Sequence, residues 1–144
     1  MFQYADQRLA AVVEAKSWIG TRFAEGACVK GIGVDCGRFL VGVFSAIGIA
    51  TPELKTLPHF PHGWFLHKTG EDYLPIVQAF TEVTEEPLPG DIVMFRIGRQ
   101  FAHGGIIIKW PQIIHAVDPM VQYALEYQIP FVGKDRLFLT PFKS

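Results

Sequence analysis

Gly33-Val34-Asp35-Cys36-Gly37-Arg38-Phe39-Leu40-Val41 places a cysteine where a glycine-rich approach turns into a helix. Gly31 and Gly33 loosen the chain ahead of it. Asp35 suits the N-cap, because its carboxylate can accept an orphan backbone N–H of the first turn. Phe39, Leu40, Val43, Phe44 and Ile47 recur at steps of three and four, the spacing of a helix with one apolar face. Gly48 stands just past the last of them as a stop. Cys36 then falls in the first turn, where unpaired N–H groups and the helix dipole favour an anion. That environment predicts a lowered thiol pKa and a larger thiolate fraction. The competing possibility is a small buried cysteine that only packs.

Upstream, the pattern predicts a helix from about Ala5 to Trp18, closed by Gly20, with a partial apolar stripe of Leu9, Val12, Val13, Lys16 and Ile19. Thr21 to Val34 reads as loop. Downstream, Pro52, Pro58 and Pro61 break the chain, and Pro75 limits a short helix over Glu71 to Phe80. The stretch 51–86 reads as an insertion or lid within a single domain spanning 1–144. Pro89-Gly90 then signals a turn into strands at Asp91–Arg96, His103–Lys109 and Gln112–Val117, with two more near Val121–Tyr127 and Arg136–Phe142. Helices first and strands afterwards imply an α+β fold, N-terminal helices packed on an antiparallel sheet.

The second and third of these strands should form a tight hairpin. With a three-residue loop, Ile108 pairs with Gln112, His103 faces Val117, and His115 is its diagonal neighbour on the same face. A two-residue loop would turn His115 to the other face, because side chains alternate. A thiolate at a helix start and a histidine on an adjacent sheet are the parts of nucleophilic catalysis. Cys36 would attack a carbonyl and His103 would take and return the proton. His115 would orient the imidazole, and backbone N–H groups around Cys36 would hold the oxyanion.

Composition narrows the alternatives. The chain has 144 residues, 49% of them apolar, enough for a real core and too apolar for disorder. A net charge of −1 without a basic block argues against nucleic acid as a partner. No apolar run reaches membrane-spanning length, so no membrane insertion is expected. Met1-Phe2-Gln3-Tyr4-Ala5-Asp6-Gln7 does not read as a secretion signal, which implies synthesis in the cytoplasm and export by another route, such as carriage in a larger particle. Cys28 and Cys36 are too few for a disulfide scaffold, and a bridge between them would consume the nucleophile. His59, His62 and His67 lack a paired metal motif and lie among prolines, so neither a metal nor another cofactor is expected. Trp64, Phe65 and Tyr73 fit core or lid packing better than ligand stacking.

Five segments, in order, resemble an NlpC/P60-type cysteine peptidase, more closely the versions found in phage tails and tail-like gene clusters. They are Ala15-Lys16-Ser17-Trp18-Ile19-Gly20-Thr21-Arg22-Phe23, Gly33-Val34-Asp35-Cys36, Leu88-Pro89-Gly90-Asp91-Ile92-Val93-Met94-Phe95, His103-Gly104-Gly105-Ile106 and Ile113-Ile114-His115-Ala116. The resemblance implies a compact, circularly rearranged papain-like fold and a Cys36, His103, His115 triad. It also implies hydrolysis of an amide in a peptidoglycan stem peptide, commonly the γ-D-glutamyl–diamino acid bond, with phage tail proteins as further partners. Substrate contacts would fall at Asp35, Phe23, Gly37 and Arg38. The chain departs from the family pattern in two places. Phe23 stands where a tyrosine hydroxyl is common, and Gly37-Arg38 stands where Ser-Gly is common.

Overall fold

The computed structural model describes residues 4–51 and 73–142. Helix α1 covers Ala5–Ser17, α2 covers Cys36–Ala46 and a short α3 covers Leu74–Gln78. Two two-residue strands, β1 (Cys28–Val29) and β2 (Gly33–Val34), pair in the stretch expected to be loop. The main sheet consists of β3 (Glu82–Val83), β4 (Ile92–Ile97), β5 (Gln100–Lys109), β6 (Gln112–Ala116), β7 (Val121–Leu125) and β8 (Arg136–Thr140). It is antiparallel, in the order β3-β8-β4-β5-β6-β7. This is the α+β architecture expected from the order of helical and strand patterns. No described helix is long and apolar enough to cross a membrane.

Helix α2 is the pivot. Its Phe39, Leu40, Val43 and Phe44 are fully buried against Ile92, Met94, Ile106, Ile114 and Leu139 of the sheet. Alternate residues of the same strands, Val93, Phe95, Ile107 and Ile113, build a second core on the opposite face with Ile129. Glycines set how closely the helix can approach. A Cβ on Gly104 would lie 2.9 Å from both Leu40 Cδ1 and Met94 Sδ, so the residue after His103 must lack a side chain.

Helix α1 turns a different face inward from the predicted stripe. Ala11, Val12 and Ala15 are its buried residues, while Leu9 and Val13 are 62% and 58% exposed. Small alanines let α1 pack closely on α2, and Trp18, edge-on to Phe39, fills the space beyond them. Arg8 ties α1 to the sheet by donating to Asp91 Oδ1 at 2.9 Å and to the carbonyl of Pro89. Asp91 is fully buried, and its other oxygen accepts from the N–H of Leu88. The Leu88-Pro89-Gly90-Asp91 signature is therefore a buried ion pair inside a turn.

The stretch 51–86 is not all insertion. Glu82–Val83 is strand β3, paired with β8 at the sheet edge, and Val77 and Phe80 enter the core. The earlier part of the proposed lid lies outside the described residues, as do His59, His62, His67, Trp64 and Phe65.

The β5–β6 hairpin resolves the register question in an unforeseen way. Lys109 pairs with Gln112, so the loop holds only Trp110 and Pro111. That loop alone would have turned His115 away from His103. Ile108 is the extra residue of a bulge, however, and beyond it Ile107 faces Ile113 and Ile106 faces Ile114. The bulge restores the register that a three-residue loop would have produced.

Candidate active site

His103 and His115 meet as that register requires. Nε2 of His103 lies 2.8 Å from Nδ1 of His115, with the rings edge to face. Both are buried, at 3% and 4% exposure. Phe95 flanks the His103 ring on the paired strand, and Phe131 meets it edge-on with centroids 5.2 Å apart. Gly105, opposite His115, makes room for this packing, since a Cβ there would lie 2.7 Å from Ile113 Cδ1. Burial lowers the pKa of His103 to about 3, with His115 adding to the effect, and burial alone lowers that of His115 to about 4. Two neutral rings can share one proton between them: one nitrogen donates and the other accepts.

Cys36 opens α2 as predicted, with Asp35 as its N-cap. Asp35 Oδ1 accepts from the backbone N–H of Arg38 at 2.8 Å. Its Oδ2 accepts from the Arg38 guanidinium and from the N–H of Gly26, each at 2.8 Å. Arg38 is only 5% exposed. A charge so placed needs a partner, and Asp35 provides one three residues away. The pair fastens the approach loop to the helix start.

The thiol does not rest on the imidazole. Sγ of Cys36 donates to the carbonyl of Ala102 at 3.8 Å, on β5 one residue before His103. Nor is it a preformed thiolate. Burial of the sulfur pushes the Cys36 pKa up to about 12, and the neighbouring Asp35 carboxylate pushes the same way. The N–H groups of Gly37 and Cys36 and the charge of Arg38 oppose this and lose. Helix-start stabilisation, which the sequence put first, is outweighed by desolvation and an adjacent anion. Both cysteines are free thiols; Cys28 donates to the carbonyl of Arg38 at 3.4 Å.

The remaining predicted positions surround this centre unequally. Phe23 bridges Val34, two residues ahead of Cys36, with its N–H on the carbonyl of Pro119. Gly37 lies directly under the ring of Tyr73. Glu126 lies 2.6 Å from Arg136 and pairs with it rather than with a histidine. Tyr73, expected to pack in the core or a lid, is buried in the core and also borders the site, while Phe131 is a neighbour that sequence reasoning missed. No local pattern marks either one, since both arrive from distant segments.

No protein-family model matches the chain, and no curated protein matches it in sequence. Solved structures do match in fold. The chain is 19% identical to NlpC1 from Trichomonas vaginalis over 97% of its own length and 47% of that chain, with a TM-score of 0.63. It covers 92% of its own length and 96% of the NlpC/P60 domain of the peptidoglycan hydrolase SagA, at 18% identity and a TM-score of 0.58. For the peptidoglycan hydrolase RipB from Mycobacterium tuberculosis, coverage is 98% of this chain and 68% of that one, at 14% identity and a TM-score of 0.58. The chain thus spans about half of NlpC1 and nearly all of the SagA domain. These likenesses, with the helix-on-sheet architecture, give the class: an α+β, papain-like fold. Within that class it is the NlpC/P60-type fold.

Proposed function

We propose that this protein is a cysteine hydrolase that cleaves an amide bond in the stem peptides of bacterial peptidoglycan. The observation that carries this reading is the 2.8 Å contact between His103 and His115, with His103 on the strand that also receives the Cys36 thiol. SagA and RipB, both described as peptidoglycan hydrolases, support the substrate class. The γ-D-glutamyl–diamino acid bond is the preferred target on the resemblance of the sequence motifs, and delivery by a phage or phage-like tail fits the same resemblance.

In this scheme Nε2–H of His103 donates to Nδ1 of His115, which leaves Nδ1 of His103 as the base. When substrate docks, Cys36 leaves the Ala102 carbonyl and gives its proton to His103 as sulfur bonds to the carbonyl carbon. The tetrahedral anion collapses, the C–N bond breaks, and the proton passes from His103 to the leaving amine. Water then gives a proton to His103 as its oxygen attacks the thioester. The C–S bond breaks, the acid departs, and the sulfur regains the proton. His115 stays neutral throughout and accepts one hydrogen bond. Asp35 and Arg38 hold the cysteine in place, and Phe23 and Gly37 border it.

The test is incubation of the purified protein with peptidoglycan, comparing wild type with Cys36→Ala. New amine termini should appear with wild type only. A second reading, an inert tail assembly component that keeps the fold, draws on the thiol being held protonated at rest. Absence of amine release from folded wild type would favour it.

A further inference from the structure

Tyr73, just ahead of α3, carries a polar atom that the fold leaves unused. The residue is 2% exposed, and its hydroxyl is buried with no hydrogen-bond partner among the described residues. A buried orphan hydroxyl costs on the order of 1–3 kcal/mol, so phenylalanine would suit a purely packed position better. The ring is pressed onto the nucleophile turn. A Cβ on Gly37 would lie 2.5 Å from Cε2 of Tyr73 and 3.3 Å from Cδ2 and Cζ, so only glycine fits beneath it. The N–H groups of Cys36 and Gly37 occupy the first two positions of α2, where the helix supplies no acceptor. The Asp35 cap takes the third, at Arg38, and leaves these two facing the Cys36 sulfur.

We infer that the Tyr73 hydroxyl donates a hydrogen bond to the reacting carbonyl oxygen of the substrate, alongside the N–H groups of Cys36 and Gly37. This rests on the hydrolase reading above and adds to it the donor set that would hold the oxyanion. Burial raises the phenol's ionisation well above its ordinary range, and the charges of Cys36 and Asp35 raise it further. The group therefore keeps its proton and stays a donor. Its missing partner is the oxygen that substrate brings. Such a donor acts most strongly in the tetrahedral state, where the negative charge is fullest.

Kinetics and thermal unfolding of wild type, Tyr73→Phe and Gly37→Ala on purified peptidoglycan test this. Tyr73→Phe should lower kcat by about 10–100-fold, leave KM within about twofold, and melt at or above the wild-type temperature. A kcat within about twofold of wild type overturns the inference while the hydrolase reading stands. A lower kcat joined to a lower melting temperature also overturns it, because packing then explains both. Should Tyr73→Phe fail to fold, Gly37→Ala decides. Its Cβ must displace the ring, so a comparable fall in kcat supports the inference and an unchanged kcat overturns it. A folded wild type that releases no amine removes the hydrolase reading and this inference together.

Discussion

His103 and His115 stand on adjacent strands whose backbone ladder fixes where each ring lies. Cys36 stands at the free end of a helix, held there by the Asp35–Arg38 ion pair and an N-cap. The histidines are enclosed by Phe95, Phe131 and the second core, while the sulfur borders the first core and hangs from one weak bond to Ala102. One half of the site is therefore placed by register and the other by electrostatics. A register error flips a side chain completely, whereas a lost ion pair lets a helix tip drift. The two halves should fail differently when perturbed.

The largest expected effect is on the sulfur itself. Cys36→Ala should reduce amine release by on the order of 10⁴-fold or more. Its melting temperature should stay within a few degrees of wild type, as only one weak side-chain bond is lost. Next comes register. Inserting one alanine between Ile114 and His115 moves His115 opposite Gly104, onto the other face from His103, so it should cost activity about as much as His115→Ala, roughly 10²–10³-fold. If the insertion mutant folds and keeps full activity, the histidine half is not placed by register at all.

The cysteine half should break through stability. Asp35→Ala removes the cap and strands a buried guanidinium, a loss of about 3 kcal/mol in denaturant unfolding. Asp35→Asn keeps an acceptor for the Arg38 N–H and should lose less. A loss below about 1 kcal/mol in Asp35→Ala would show that the ion pair is not what holds the helix tip.

The smallest effect separates the halves by pH. The unfolded chain binds protons on its histidines below about 6.5, whereas folded His103 and His115 stay neutral down to about 3 and 4. The unfolded state thus gains protons first, and stability should be full above pH 6.5 and fall as pH drops toward 3. Cys36 gives the opposite limb. The folded state keeps the thiol proton up to about 12 against 9.0 when unfolded, so stability should decline as pH rises from 9 toward 12. Denaturant midpoints across pH, with His115→Phe flattening the acid limb and Cys36→Ala the alkaline one, check both signs.

Much of this was legible in the chain, and unevenly so. Asp35 reads as an N-cap because its effect is local, reaching three residues ahead. The apolar spacing of α2 and the strands after Gly90 likewise report their own neighbourhoods. The face of α1 was not legible, because Leu9 and Val13 look more apolar than the alanines that close packing selected. Nor was the bulge at Ile108, which decides the register although isoleucine carries no bulge signal. The thiol's charge state was misjudged because burial is a property of the assembled core. Tyr73 was hidden for the same reason. It meets Gly37 only through tertiary packing.

The Ala102 bond has a consequence for durability. Thiolates attack peroxides and disulfides, and a sulfur that keeps its proton does so only slowly. Parked on a backbone carbonyl and holding its proton, Cys36 is chemically quiet at rest.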